Sequence, residues 1–319
     1  MNSELIFRNN FKLYNINNMY ETKNDYYFNK PNLNLVLDDN EYQTIYRTND
    51  QGYRIGHTYR SENHPEWLFI GDSYTQGAQV NFNELFTSRL KEYYPQTKML
   101  NAGISGFGLP EESGYLEAEG LEFKPKKIFL ELCVLNDFEH IEPRKITLVD
   151  YLMSKSELFR FLFYRIKFEK VDEQPLGRWT DPFFSEEEDN INYNVLYTQS
   201  SPIKEKSIQN VLKYIDKIAR ASKKVNADLV VVLIPTKEQV YSKYYNEVVD
   251  KFKINEKLID VNGAAKIIQK AAATNKFLFI DPLESFRTDT TMLYFEKDEH
   301  LNSNGHKKLA EIISKNVIP

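Results

Sequence analysis

Five short apolar runs dominate the chain from residue 67 onward: WLFIGDS, KMLNAG, KKIFLELCV, DLVVVLIP and KFLFIDP. Their apolar residues fall at successive positions, the pattern of strands buried on both faces. Between most of them lie stretches with helical spacing: NELFTSRLKEYY, EESGYLEAEGLEF, SIQNVLKYIDKIARASKKV and EKLIDVNGAAKIIQKAAAT. A last helix is predicted from near Asn304 through HKKLAEIISK. Doubly buried strands alternating with amphipathic helices predict an α/β fold, a parallel sheet covered by helices. A chain of 319 residues is long enough for one large core with elaborations.

Two intervals depart from this rhythm. Residues 1–60 are rich in Asn, Tyr and Asp and carry short alternating runs, LNLVL and YQTIY. These suit short strands and turns, so a small β-rich extension is expected over 1–60, packed on a main domain at 61–319. Between about 138 and 200 no core strand is evident; LVDYLMSKSELFRFLFYRIKFEK has helical spacing and SEEEDN is acidic. A helical insertion is expected there, packed on the domain and placed to serve as a lid or acceptor-binding wall.

Composition excludes several functions. Forty-one basic against 46 acidic residues leave a net charge of −5, which offers nucleic acid or an anionic membrane no general attraction. Cys133 is the only cysteine, so no intrachain disulfide or CxxC centre is available. The histidines at 57, 64, 140, 300 and 306 are scattered without a metal-binding spacing. No stretch approaches the roughly 20 apolar residues of a membrane-spanning helix. MNSELIFRNNFKLYN shows no apolar signal core or small-residue cleavage site, so a cytoplasmic location is expected, with export the alternative if a signal segment is missing. Nothing here sets an oligomeric state.

The first apolar run ends in Gly71-Asp72-Ser73, which places a serine at the carboxyl end of a strand, where parallel α/β proteins hold their chemistry. A serine hydroxyl becomes nucleophilic when a base accepts its proton and a carboxylate orients that base. YFEKDEHLNSNG offers both, His300 as base and Asp298 as orienting acid, although such a pair also occurs as turn capping or a surface ion pair. After the second run, NAGISGFGLP brings Gly106, either a turn glycine or a residue whose N–H is aimed at an oxyanion. After the third, LNDFEH brings Asn136, either a loop cap or a donor. Ser73 N–H, Gly106 N–H and the Asn136 amide would together make a three-donor oxyanion hole. Tyr74 and Phe107, beside these elements, are candidates to line a substrate pocket. Asp72 reads as steadying its loop and His306 as a capping or packing residue.

These blocks, in this order, resemble the SGNH or GDSL hydrolases. FIGDSYTQG is similar to the block with the nucleophile, NAGISG to the block whose oxyanion glycine falls on Gly106, VLND to the block whose asparagine falls on Asn136, and HLNSNGHKKLA to the block with the catalytic histidine, His300. The likeness spans about residues 66–315, and RTNDQGYRI before it is similar to a bacterial branch associated with surface or secreted carbohydrates. Two positions depart from the family pattern: Val134 stands where the third block has glycine, and Lys297 occupies the usual D-x-x-H acid position, so the acid falls on Asp298 in a D-x-H form. Glu299 is its possible substitute.

The resemblance implies a flavodoxin-like, three-layer α/β/α sandwich with a five-stranded parallel sheet. It also implies acyl transfer through an acyl-enzyme without metal or organic cofactor. The leading expectation is a serine esterase that removes acetyl or another short acyl group from a carbohydrate or a small acylated molecule. An O-acyltransferase with the same centre, a lipase or thioesterase, and a non-catalytic carbohydrate-binding or assembly protein are the alternatives.

Overall fold

All five apolar runs form strands of one parallel sheet. The computed structural model describes residues 19–23, 26–57, 64–134, 137–138, 147–156, 158–159, 162, 195–252 and 254–318. Four short antiparallel strands come first, β1 (Tyr20–Lys23), β2 (Tyr26–Asn29), β3 (Asn34–Asp38) and β4 (Gln43–Arg47). The sheet follows as β5 (Trp67–Ile70), β6 (Met99–Asn101), β7 (Lys127–Cys133), β8 (Asp228–Ile234) and β9 (Leu278–Ile280). Its order is β6-β5-β7-β8-β9, with Trp67 in register with both Met99 and Lys127. The winding direction therefore reverses at β5, the position where doubly wound sheets open a crevice at their carboxyl edge.

Strand alternation sorts the side chains into two cores. Leu68, Ile70, Ile128, Leu130, Leu132, Leu229, Val231 and Leu233 share one face, while Trp67, Phe69, Phe129, Cys133, Val230, Val232 and Ile234 share the other. Among the described helices are α1 (Ser73–Gln76), α2 (Phe86–Arg89), α3 (Leu109–Ala118), α4 (Leu148–Lys155) and α5 (Pro202–Lys224). They continue as α6 (Lys237–Val240), α7 (Ser242–Phe252), α8 (Gly263–Asn275), α9 (Leu283–Arg287) and α10 (Ser303–Asn316). Leu116 of α3, Val211 and Ile215 of α5 and Ile268 of α8 cover the first face; Phe86 of α2, Phe286 of α9 and Leu309 and Ile313 of α10 cover the second. The result is a three-layer α/β/α sandwich with a β-rich N-terminal extension. No helix among the described residues is long and apolar enough to cross a membrane.

Some elements differ from expectation. The single helix expected over 83–94 is divided into a 3-10 turn (Phe82–Glu84), α2 and a second 3-10 turn (Leu90–Glu92). Leu85 leaves the helical region at φ −59° and ψ 143°, while Asn81 N–H is already bound by the Glu84 carboxylate at 3.0 Å. Helices α6, α7 and α9 have no counterpart in the sequence reading; α6 and α9 have 4 and 5 residues, less than two turns of periodicity. Of the insertion expected at 138–200, α4 and the buried pair Val195 and Leu196 are described. The lid or acceptor wall otherwise lies outside the described residues.

The extension is tied into the main core. Phe28 stacks on Tyr115 of α3 with ring centroids 5.6 Å apart, and the Tyr53 and Tyr115 hydroxyls meet at 3.0 Å. Asn49 Oδ1 accepts from Gln51 N–H at 3.0 Å and Tyr53 N–H at 2.8 Å, folding TNDQGY into a turn that delivers Arg54 inward. Arg54 is 3% exposed, and its guanidinium donates to the carbonyls of Gln76 (2.7 Å), Gly77 and Val80. A residue of the extension thus clamps the end of α1. Gly77 O also accepts the Val80 N–H at 3.2 Å, so Arg54→Met removes the guanidinium partner of the buried Gln76 and Val80 carbonyls, at about 1–3 kcal/mol for each unsatisfied group. The variant is expected to lose at least about 2 kcal/mol of stability in urea unfolding, on that per-group scale.

Candidate active site

Ser73 is the first residue of α1, directly after β5. Asp72 shapes the turn by accepting the Tyr74 N–H at 2.8 Å, and Gly77, left-handed at φ 57°, ends the helix with its N–H bonded to Ser73 O at 2.8 Å. His300 approaches from the loop between α9 and α10. Its Nε2 lies 2.7 Å from Ser73 Oγ, and its Nδ1 lies 2.6 Å from Asp298 Oδ1. The same Oδ1 accepts the His300 backbone N–H at 2.8 Å, so the short D-x-H spacing closes as a turn across one carboxylate oxygen.

Electrostatics follow this geometry. Burial works against the imidazolium of His300, but the Asp298 charge and hydrogen bond outweigh it and raise the group from 6.5 to about 9. For Asp298 burial pushes upward, and the His300 charge and hydrogen bonds hold it below the usual carboxylate value. Both shifts describe one ion pair that keeps the Nδ1 proton toward the acid and leaves Nε2 to exchange a proton with Ser73. Such a Ser-His-Asp arrangement supports serine-dependent acyl transfer or hydrolysis.

The second strand end closes on the first. Asn101 donates to Thr75 O at 2.6 Å and accepts from Gly103 N–H at 2.9 Å, and Ile104 N–H binds Gly71 O at 3.0 Å. At Gly103 a Cβ would stand 2.5 Å from Gln76 N, so close packing of the loop on α1 requires glycine there. Gly106 is glycine for another reason: its φ is +80°, and no atom lies within 4 Å of where a Cβ would be. Its N–H and that of Ser73 take part in no backbone hydrogen bond among the described residues. Asn136, the third expected donor, lies outside the described residues, as does His140.

Tyr74 and Phe107, expected beside a pocket, are 3% and 4% exposed. Tyr74 braces the base, its ring 4.9 Å from that of His300 and its hydroxyl donating to Glu299 O at 2.9 Å. Phe107 packs edge-on to Tyr26. His306 is buried, stacked on Phe86, and burial with the nearby Arg54 charge lowers it to about 3, a neutral packing residue. His57 and His64 are exposed. Ligand atoms of Asp298, Glu299 and His300 lie within 4.8 Å of one another, but both ring nitrogens of His300 already have partners within the described site. A cavity of about 550 Å³ lies elsewhere, between the extension and the β6 edge; Arg47, Phe82 and Met99 line it, and Ser73 and His300 do not.

The sequence reading missed several supporting groups. Gln79 places its amide nitrogen 3.1 Å from His300 Nδ1 while its Oε1 is buried without a partner among the described residues; turning the amide by half a rotation would offer Nδ1–H an acceptor. Glu41 and Lys237 bind the backbone of the Asp298 loop, as set out below. None has a recognisable local motif, because each acts across more than 50 residues. Four buried carboxylates, Asp72, Glu112, Glu131 and Asp137, gather beneath the nucleophile turn. Glu131 Oε2 accepts from Thr75 Oγ1 at 3.0 Å and Asp137 Oδ2 from Cys133 N–H at 2.6 Å.

No family model matches the chain, and no curated protein matches it in sequence. Among solved structures it is similar to the acetyl xylan esterase AlAXEase, with 16% identity over 79% of this chain and 99% of that one and a TM-score of 0.46. It is also similar to a catalytic mutant of Axe2, an acetylxylan esterase from Geobacillus stearothermophilus, at 12% identity, 82% and 95% coverage and a TM-score of 0.44. A putative lipolytic protein of the G-D-S-L family from Desulfitobacterium hafniense shares 12% identity over 79% and 98%, with a TM-score of 0.43.

Glu112 gives a test of the buried acids. Burial first, then the Asp137 and Asp72 charges, raise its carboxyl well above 4.5, and neither oxygen has a hydrogen-bond partner among the described residues. The folded state therefore binds a proton that the unfolded chain releases above about pH 4.5, and stability contributed by this residue falls as pH rises. Glu112→Gln removes that dependence. Its thermal unfolding midpoint is expected to match the wild type at pH 4 and exceed it increasingly from pH 5 to 8.

Proposed function

We propose that this chain is a serine esterase of the SGNH or GDSL type that removes acetyl or another short acyl group from a carbohydrate. The observation that carries the reading is the continuous hydrogen-bonded line Ser73 Oγ, His300 Nε2, His300 Nδ1, Asp298 Oδ1. Support for carbohydrate is the likeness of RTNDQGYRI to a branch associated with surface or secreted carbohydrates.

In this mechanism His300 Nε2 accepts the Ser73 proton as Oγ attacks the ester carbonyl. The new C–O bond converts the carbonyl oxygen to an oxyanion, which Ser73 N–H, Gly106 N–H and the Asn136 amide receive. The imidazolium, held by Asp298, then protonates the departing sugar oxygen as its bond to carbon breaks, leaving an acyl-serine. Water enters, gives a proton to His300 and attacks the acyl carbon; the tetrahedral species collapses, releasing the carboxylic acid as Ser73 takes its proton back. A sugar hydroxyl in place of that water would complete an O-acyltransferase cycle.

Intact-mass spectrometry after exposure to an activated acetyl ester tests the nucleophile. One acetyl per wild-type chain and none on Ser73→Ala is the expected result, with turnover of the variant lower by at least about 10³-fold. Adding candidate sugars then separates release to water from transfer. Absence of any Ser73-dependent adduct, with a fluorophosphonate as well, would remove the enzyme reading.

The pH dependence is fixed by the same pair. Only neutral His300 can accept the serine proton, so kcat/KM is expected to rise with pH, its acid limb lying above 6.5 and toward 9. Stability from the pair runs the other way. Because the folded value is raised above the unfolded one, that contribution is complete below pH 6.5 and is lost as pH rises through about 9. Asp298→Asn is expected to move the acid limb down to 6.5 or below and to lower kcat by about 10²- to 10⁴-fold.

A further inference from the structure

Glu41 lies between β3 and β4 in the N-terminal extension, 257 residues before Asp298. Its carboxylate sits in a nest of three successive backbone N–H groups from the loop that carries the acid and base. Oε1 accepts from Glu296 at 2.7 Å and Lys297 at 3.0 Å, and Oε2 accepts from Lys297 at 3.0 Å and Asp298 at 2.8 Å. Nests of this kind favour an anion, since each N–H contributes a partial positive charge to one point.

Lys237 of α6 grips the same loop from its carbonyl side. The residue is 1% exposed, and its Nζ donates to Phe295 O at 2.8 Å, Glu296 O at 3.1 Å and Asp298 O at 2.9 Å. Phe295 N–H bonds to His300 O at 3.2 Å, closing the loop on itself, and the Tyr74 hydroxyl holds Glu299 O. The N–H groups of residues 296–298 are thus held by Glu41, and the carbonyls of 295, 296 and 298 by Lys237. The peptide nitrogen of Asp298 is held by one and its carbonyl by the other.

From this geometry we infer that Glu41 is a positioning residue for the Asp298–His300 pair, so that the extension completes the active site. The inference rests on the esterase reading. Its physical content is that the short D-x-H turn leaves one intervening residue to set the acid against the imidazole, and the external carboxylate supplies the missing constraint on the Asp298 backbone. Small displacements of a reacting group lower rates by up to about 100-fold.

The test is a double-mutant cycle of Glu41→Ala and Asp298→Ala, read as the rate of fluorophosphonate labelling at Ser73 and, for active forms, as kcat and KM on an activated acetyl ester. In the wild-type background Glu41→Ala is expected to lower the labelling rate and kcat by about 10- to 100-fold with KM within about twofold. In the Asp298→Ala background the added loss is expected to stay within about twofold, because the group being positioned is gone. Glu41→Gln, which keeps the shape and turns one acceptor into a donor facing donors, is expected to follow Glu41→Ala and serves in its place if that variant does not fold. Equal losses in both backgrounds, or wild-type rates for both Glu41 variants, overturn the inference while leaving the esterase reading intact. A wild type that fluorophosphonate does not label at Ser73 overturns the esterase reading, and this inference with it.

Discussion

A single hydrogen bond of 2.7 Å joins Ser73 to a histidine 227 residues later in the chain. Neither partner lies in a regular core strand, so neither is placed by the sheet alone. The sheet supplies the frame: β5, at the reversal of winding, delivers Ser73, while β9 and the start of α10 bring the His300 loop to the same edge. Everything finer depends on polar contacts to backbone groups. Arg54 takes the carbonyls at the end of α1, Asn101 ties Thr75 to Gly103, and Lys237 takes the carbonyls beside Asp298.

The sheet was legible because its information is local. In WLFI and DLVVVLI every residue but the first of β8 is buried, and a run of consecutive apolar side chains is the sequence form of that burial. Long α5 was legible for the same reason. Helices α6 and α9 escaped because 4 or 5 residues carry no readable period, and the interval 83–94 was misjudged because Leu85 interrupts an otherwise helical pattern with extended backbone. At the site, Ser73, Asp298 and His300, which the structure brings together, could be picked out by ordered motifs. Their backbone supports, Glu41 and Lys237, could not: a surface-like glutamate and a lysine have nothing in their neighbourhoods that reveals partners 257 and 61 residues away.

The same contrast changes the meaning of the first 60 residues. Read as sequence, they form a small β-rich cap. In the structure Tyr20 and Asn29 engage the Gln76 side chain at 3.1 and 3.0 Å, Thr44 donates to Ala78 O at 2.8 Å, and Glu41 receives the Asp298 loop. One short extension therefore touches both the nucleophile turn and the acid-base loop. Holding two loops from a common third element fixes their separation more directly than holding each against the sheet, and that separation is the Ser73–His300 distance.

The buried acids set a second constraint, electrostatic rather than geometric. Four ionised carboxylates below Ser73 would oppose the negative charge that acyl transfer creates on the substrate oxygen. Burial keeps Glu112 and Glu131 protonated well above 4.5, and mutual repulsion with Asp72 and Asp137 acts in the same direction. Asp72, which N-caps α1, and Asp298, bonded to His300, favour the positive charge His300 acquires in the same step. Burial and mutual repulsion thus disfavour charge on Glu112 and Glu131 beneath the turn, while the Asp298 and Asp72 carboxylates act in favour of the imidazolium.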